Sequence, residues 1–173
     1  MSDIPLLAIA AHSGTGKTTL LKQIIPRLKN MGIRVGVIKH THHDMDVDKP
    51  GKDSYELRKS GADQTLVASN TRWALMTETP DKQEPNLQFL AGRMDASALD
   101  LILVEGFKYE KIAKIVLIRQ GYGPSFTEKQ IDRFTLAVAS DTPLQVEVPL
   151  LDINSPDEIC SFIQQWLESL ATR

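Results

Sequence analysis

The stretch Ala11-His12-Ser13-Gly14-Thr15-Gly16-Lys17-Thr18 constrains this chain more than any other. It follows the apolar run from Ile4 to Ala10 and precedes a helical pattern. Strand, glycine loop and helix in that order form a phosphate-binding P-loop. Gly14 and Gly16 open backbone conformations that a Cβ would close, so that consecutive N–H groups can turn inward on phosphate oxygens. The helix that opens at Lys17 adds the positive end of its dipole. The Lys17 ammonium then suits β- and γ-phosphates, and the Thr18 hydroxyl suits Mg2+. Ala11 stands where the motif usually begins with Gly, the smallest departure available.

A P-loop needs a sheet around it, and the rest of the chain supplies one. Its 173 residues are about one domain's worth, and we expect a single nucleotide-binding domain over residues 1–173. Residues 17–31 read as a helix that Pro26 should kink or shorten. Arg34–Lys39 reads as a strand, and Asp53 with Glu56 has capping-box spacing for a short helix ending at Gly61. Thr65–Ala68 and Trp73–Thr77, separated by Ser69-Asn70-Thr71, read as a hairpin. A helix is expected around 86–95, then strands at Leu101–Val104, Ile112–Ile118, Phe134–Ala139 and Val148–Leu151, with an exposed loop over 119–130. Ser155-Pro156-Asp157-Glu158 opens the last helix, whose stripe of Ile159, Phe162, Ile163, Trp166, Leu167 and Leu170 faces a core. The alternation predicts an α/β fold, a mainly parallel sheet flanked by helices with a β-hairpin insertion.

Three further segments bear on chemistry. Leu101–Val104 is apolar throughout, the mark of a strand buried on both faces, and it ends in Glu105-Gly106. An acid at that point can hold Mg2+ or its water shell, and Glu105 stands where Asp is more usual. Asp100 begins the same strand, at the wrong end for the site. The loop from His40 to Asp53 should rise at the carboxyl edge of the sheet, where Asp44 or Asp46 could approach Mg2+ or an attacking water. An EF-hand is excluded there, because Lys49 and Tyr55 occupy the positions that need Gly and Glu. His40, His42 and His43 lack the spacing and cysteine neighbours of a standard zinc site. Finally, Ser140-Asp141 ends a late strand, where a carboxylate can accept the paired donors of guanine that adenine lacks; the alternative is an acid that merely enters the turn at Pro143.

Composition excludes several classes. A net charge of −2 gives no electrostatic case for nucleic acid or membrane as partner. No apolar stretch approaches the ~20 residues of a membrane span, and no signal peptide is evident, so a cytoplasmic protein is expected. Cys160, the single cysteine, reads as a packed thiol.

Taken together, His40-Thr41-His42-His43, Asp48 to Ser54, Arg72-Trp73-Ala74, Leu103 to Lys108 and Ala139-Ser140-Asp141 resemble the molybdopterin-guanine dinucleotide biosynthesis protein B family, over about residues 4–170. The resemblance implies GTP and Mg2+ as ligands, slow hydrolysis, and a homodimer to which the hairpin near Thr65–Thr77 contributes. It implies an adapter role beside the guanylyltransferase that joins GMP to molybdopterin. Carried over residue by residue, Ser13, Gly14, Thr15, Gly16, Lys17, Thr18 and Thr19 would form the phosphate loop. Thr18 and Glu105 would serve the metal, and Asp141 would face guanine. Molybdopterin, the partner and Mg2+ stay open as contacts of the histidine loop. A small-molecule kinase is the competing reading, although the loop over 119–133 has only Arg119 and Arg133 for a lid. Arg58, Arg72 and Arg119 are all candidates to supply charge at the phosphates.

Overall fold

A computed structural model of the chain describes residues 4–41, 45–80, 84–107, 110–123 and 130–172. Contacts divide the chain into two compact units, Met1–His40 with Asn86–Arg173, and Thr41–Pro85.

The larger unit is built on six strands: β1 (Leu6–Ala10), β2 (Val35–Lys39), β5 (Leu101–Glu105), β6 (Ala113–Ile118), β7 (Thr135–Ser140) and β8 (Leu150–Asp152). They lie in the order β2-β5-β1-β6-β7-β8, and every pairing is parallel. Its helices are α1 (Lys17–Asn30), α3 (Leu87–Ala91) and α4 (Pro156–Ala171). Alternation along the central strands sorts the core into two layers. Leu7 and Ile9 of β1, with Leu101 and Leu103 of β5, face the layer that holds Leu20, Ile24 and Leu28 of α1 and Ile159 and Ile163 of α4. Leu6, Ala8, Ile102 and Val104 face the other way, onto Leu87 and Ala91 of α3. A strand covered on both sides has no reason to alternate polar with apolar, which accounts for the continuous run in β5.

Two expectations need correction. Pro26 does not shorten α1, which continues to Asn30. Pro26 and Lys22 are both exposed, so the Lys22 carbonyl that loses its N–H partner can turn to water. The helix expected over 86–95 is only Leu87–Ala91; the Asn86 side chain caps it by accepting from Phe89 N–H at 2.8 Å. Beyond it, Asp95 accepts from the backbone and hydroxyl of Ser97, a local turn that competes with further helix. The last helix is as expected, with Pro156 in its first turn and Ser155 accepting from Glu158 N–H.

The smaller unit contains α2 (Asp53–Lys59) and the antiparallel hairpin of β3 (Gln64–Ala68) and β4 (Trp73–Thr77), paired Leu66 to Leu75 and Ala68 to Trp73. Its organising side chain is Arg58, buried, with Nη2 donating to Asp46 at 2.6 Å and Asp48 at 2.9 Å, and Nη1 to Glu78 at 3.1 Å. These hydrogen bonds hold the Arg58 pKa above the ordinary guanidinium range. No helix among the described residues is long and apolar enough to cross a membrane.

Candidate functional site

The chain runs to one side of β1 for β2 and to the other for β6, β7 and β8, which places the β1–α1 loop at a topological switch point. Open parallel sheets bind ligands there, outside the carboxyl ends of the strands. Gly14 has φ +83° and Gly16 φ +101°, and a Cβ on Gly16 would meet nothing within 4 Å, so the cradle is open at that point. Gly16 is the left-handed N-cap of α1, and the first turn of α1 carries no acid to oppose a bound phosphate.

The loop is braced from within. The Thr15 side chain is buried and its hydroxyl donates to the His12 carbonyl at 2.9 Å. Lys17 Nζ donates to the carbonyls of Ala11 and His12 at 3.0 and 3.1 Å. Ser13, Gly14, Thr18 and Thr19 are exposed, and Lys17 is half-buried. The Thr15 hydroxyl is therefore committed within the loop.

Glu105 ends β5, immediately beside β1, and is buried. Its Oε2 lies 3.7 Å from Lys39 Nζ, on the strand register that pairs Lys39 with Glu105. Its carbonyl accepts His40 N–H at 2.8 Å, and the His40 and Phe107 rings stand 5.1 Å apart. The intervening Gly106, φ +96°, passes so close to His40 that a Cβ would fall 2.7 Å from the His40 carbonyl oxygen.

Ser140 and Asp141 close β7, two strands from β1 on the same edge. The Ser140 hydroxyl accepts Thr142 N–H at 3.1 Å and serves the turn. Asp141 Oδ1 accepts Gln120 N–H at 2.9 Å, and Oδ2 lies 3.9 Å from Arg119 Nη1. The segment just after β6 is exposed over 120–123, as expected, while half-buried Arg119 ties it to the glycine loop. Arg119 Nε donates to the Thr15 carbonyl at 3.2 Å, a Cβ on Gly14 would approach Tyr122 to 3.2 Å, and one on Gly123 would clash with His12 at 2.8 Å. Sequence reasoning had Arg119 only as one of three cations that could serve the phosphates; nothing local announces a contact across 104 positions.

Asp46 is engaged by Arg58 within the smaller unit, and Asp44 lies outside the described residues, as do His42 and His43. Asp100 pairs with Arg34 at the opposite edge of the sheet, where the Arg34 hydrogen bonds pull its pKa down to about 2. Cys160 is buried, with its thiol pushed up to about 11 by desolvation. Among the described residues no group of three or more His, Cys, Asp and Glu could hold a metal.

The chain is similar to known proteins over nearly its whole length. The chain is 68% identical over 165 residues to the molybdopterin-guanine dinucleotide biosynthesis adapter protein of Escherichia coli K12, covering 95% of this chain and 94% of the relative. The protein of the same description from Haemophilus influenzae is 49% identical, with 96% and 91% covered. A crystal structure of molybdopterin-guanine biosynthesis protein B superposes with a TM-score of 0.74 at 26% identity, over 94% of this chain and 99% of the other. The family model for molybdopterin guanine dinucleotide synthesis protein B matches residues 6–141, from the first strand to the acid that closes β7. The chain belongs to the MobB family.

Proposed function

We propose that this protein is a GTP-binding adapter of molybdopterin guanine dinucleotide biosynthesis, with weak Mg2+-dependent GTPase activity, that assists the guanylyltransferase. One observation carries the reading. A single carboxyl edge of a parallel sheet brings together the open glycine cradle of Ser13 to Thr19, the Glu105 carboxylate one strand away, and the Asp141 carboxylate at the end of β7. The adapter role is supported by the E. coli and H. influenzae relatives, both described as adapter proteins of this biosynthesis.

In this reading the inward N–H groups of the loop and Lys17 hold the phosphates. Asp141 offers guanine a carboxylate acceptor that adenine cannot match. The residues present fit Mg2+: the Thr18 hydroxyl is exposed in the first turn of α1, and Glu105 adds a hard oxygen on the neighbouring strand. With no group of three or more His, Cys, Asp and Glu among the described residues that could hold a metal, the ion would take its other ligands from phosphate and water, as Mg2+ prefers. When bound, Mg2+ neutralises charge on the β- and γ-oxygens.

Turnover is expected to be slow. Phosphoryl transfer gains most from charge supplied at the transferring group, often by an arginine. Arg58 is held by three carboxylates, and Arg119 is turned to the loop's own carbonyl. Those same commitments leave little for the basic lid that a small-molecule kinase would need.

Self-association is the natural fate of the hairpin. Paired residues share a face, and one face of β3 and β4 presents Leu66, Leu75 and Trp73 at 60, 48 and 67% exposure. A two-stranded ribbon with such a face is marginal alone and gains from a second copy. Molybdopterin itself is a further candidate ligand, through the loop that begins at His40.

Titration of the protein with GTP and ATP in the presence of Mg2+ tests the reading. GTP should bind more tightly, Lys17→Ala should abolish binding of both while leaving the fold intact, and Asp141→Asn should weaken GTP selectively. Tighter binding of ATP, or an Asp141→Asn variant with unchanged GTP affinity, would remove the guanine assignment.

A further inference from the structure

We infer that Arg119 is a positioning residue that ties the phosphate loop to the base-reading acid, so that both ends of a bound guanosine nucleotide are held through one guanidinium. The inference rests on the reading of the site given above. Arg119 directly precedes the turn Gln120-Gly121 and pairs across it with Tyr122. Its side chain is half-buried and reaches three acceptors from three elements. Nε donates to the Thr15 carbonyl at 3.2 Å, Nη2 donates to Asn154 Oδ1 at 3.1 Å, and Nη1 stands 3.9 Å from Asp141 Oδ2. A planar fork with five donors can span such a set, whereas an ammonium cannot.

The contact with Thr15 has a consequence for phosphate binding. In a trans peptide the C=O of one residue and the N–H of the next point in opposite directions. Arg119 draws the Thr15 carbonyl toward β6, and it thereby turns the Gly16 N–H the other way. Gly16 has no Cβ to resist that orientation, and its φ of +101° places it where a side chain would be strained. The cradle amide is thus aimed by a residue far away in the chain. The same arginine and its neighbour hold the acid: Gln120 N–H donates to Asp141 Oδ1 at 2.9 Å while Arg119 sits beside Oδ2. Asn154 is tied at its backbone, its N–H donating to Asp152 Oδ1 at 2.8 Å, and its side chain gives the fork a third anchor. The Tyr122 ring beside Gly14 and Gly123 beside His12 keep the turn on the loop.

Calorimetric titration of the 173-residue chain with GTP, GDP and ATP in Mg2+ tests this, using wild type, Arg119→Gln and Arg119→Lys. Arg119→Gln should weaken GTP about tenfold or more, as expected for the loss of charge-assisted hydrogen bonds. It should also lower the GTP-over-ATP ratio, which a general loss of stability would not move. Arg119→Lys should recover less than half of the loss in log affinity. Adding Asp141→Asn to Arg119→Gln should cost less than Asp141→Asn costs alone, because the acid is already unheld. Equal weakening of GTP and ATP, with additive effects of the two substitutions, would overturn the coupling. Should Arg119→Gln not fold, Asn154→Ala, which removes one anchor of the fork, should lower the same ratio, and an unchanged ratio would overturn the inference. A wild type without preference for GTP would overturn both this and the guanine assignment, whereas a GTP-selective wild type indifferent to Arg119 would overturn this alone.

Discussion

Gly106→Ala should be among the costliest single-methyl additions in this protein. The residue follows Glu105 and crosses over His40, the first residue after β2. Its φ of +96° is one that residues with a Cβ avoid, at a cost of roughly 1–2 kcal/mol. A second cost comes from space. The new methyl would lie 2.7 Å from the His40 carbonyl oxygen and 3.0 Å from His40 Cβ, and the first is backbone on a paired strand end that cannot swing aside. Overpacking of this kind costs about 1–3 kcal/mol. The sum is ~2–5 kcal/mol, a large part of the ~5–15 kcal/mol that holds a typical domain folded. Gly32→Ala is the matched control: φ is +83° there, and nothing lies within 4 Å of the added methyl. It should lose only the conformational part, about 1–2 kcal/mol. Urea unfolding followed by far-ultraviolet circular dichroism reads both, and the slope should stay constant while the midpoint moves. Because relief of the clash displaces the ends of β2 and β5, Gly106→Ala should also raise the Mg2+ concentration needed for nucleotide binding. Equal destabilisation by the two substitutions would show that the close approach to His40 carries no energy.

The Asp100 carboxyl is held at about 2 instead of its ordinary 3.8, first by the Arg34 side chain and then by the Arg34 backbone N–H. A carboxyl lowered in the folded state contributes stability above its unfolded value and loses it as pH falls, so the loss should run from about pH 4 down to about pH 2. Both partners are more than a third exposed, so the effect should be small, and Asp100→Asn should flatten that part of a melting-temperature profile without changing nucleotide affinity. Arg58→Met should leave Asp46, Asp48 and Glu78 facing one another without their cation, and limited proteolysis should then cut between residues 45 and 80 several-fold faster.

Local features of the sequence were legible where local physics decides them. The glycine loop lies between β1 and α1, the apolar run of β5 is buried on both faces, and Ser155 caps α4, because each rests on residues within a few positions of one another. The hairpin was readable for the same reason, since a four-residue turn with Ser69 N–H donating to Arg72 joins its strands. Strand order was not legible. β5 lies between β1 and β2 although some sixty residues part it from β2 in the chain, and periodicity holds no record of neighbours. Side-chain allegiance was equally hidden. Asp46 reads as an acid for Mg2+ or an attacking water and Arg119 as a charge for the phosphates, yet one is caught by Arg58 and the other donates to the Thr15 carbonyl. A charge settles on whichever partner the fold brings within reach, and spacing along the chain does not report that.

The inward bond of Thr15 has a thermodynamic consequence. With its side chain 1% exposed and its hydroxyl on the His12 carbonyl, the loop holds its shape through contacts that a nucleotide does not replace. A binding surface already ordered has little freedom left to surrender, so more of the contact energy remains as affinity. The arriving nucleotide should meet this part of its site as a finished surface, and the entropy of binding should reflect released water and ions more than a backbone being brought to rest.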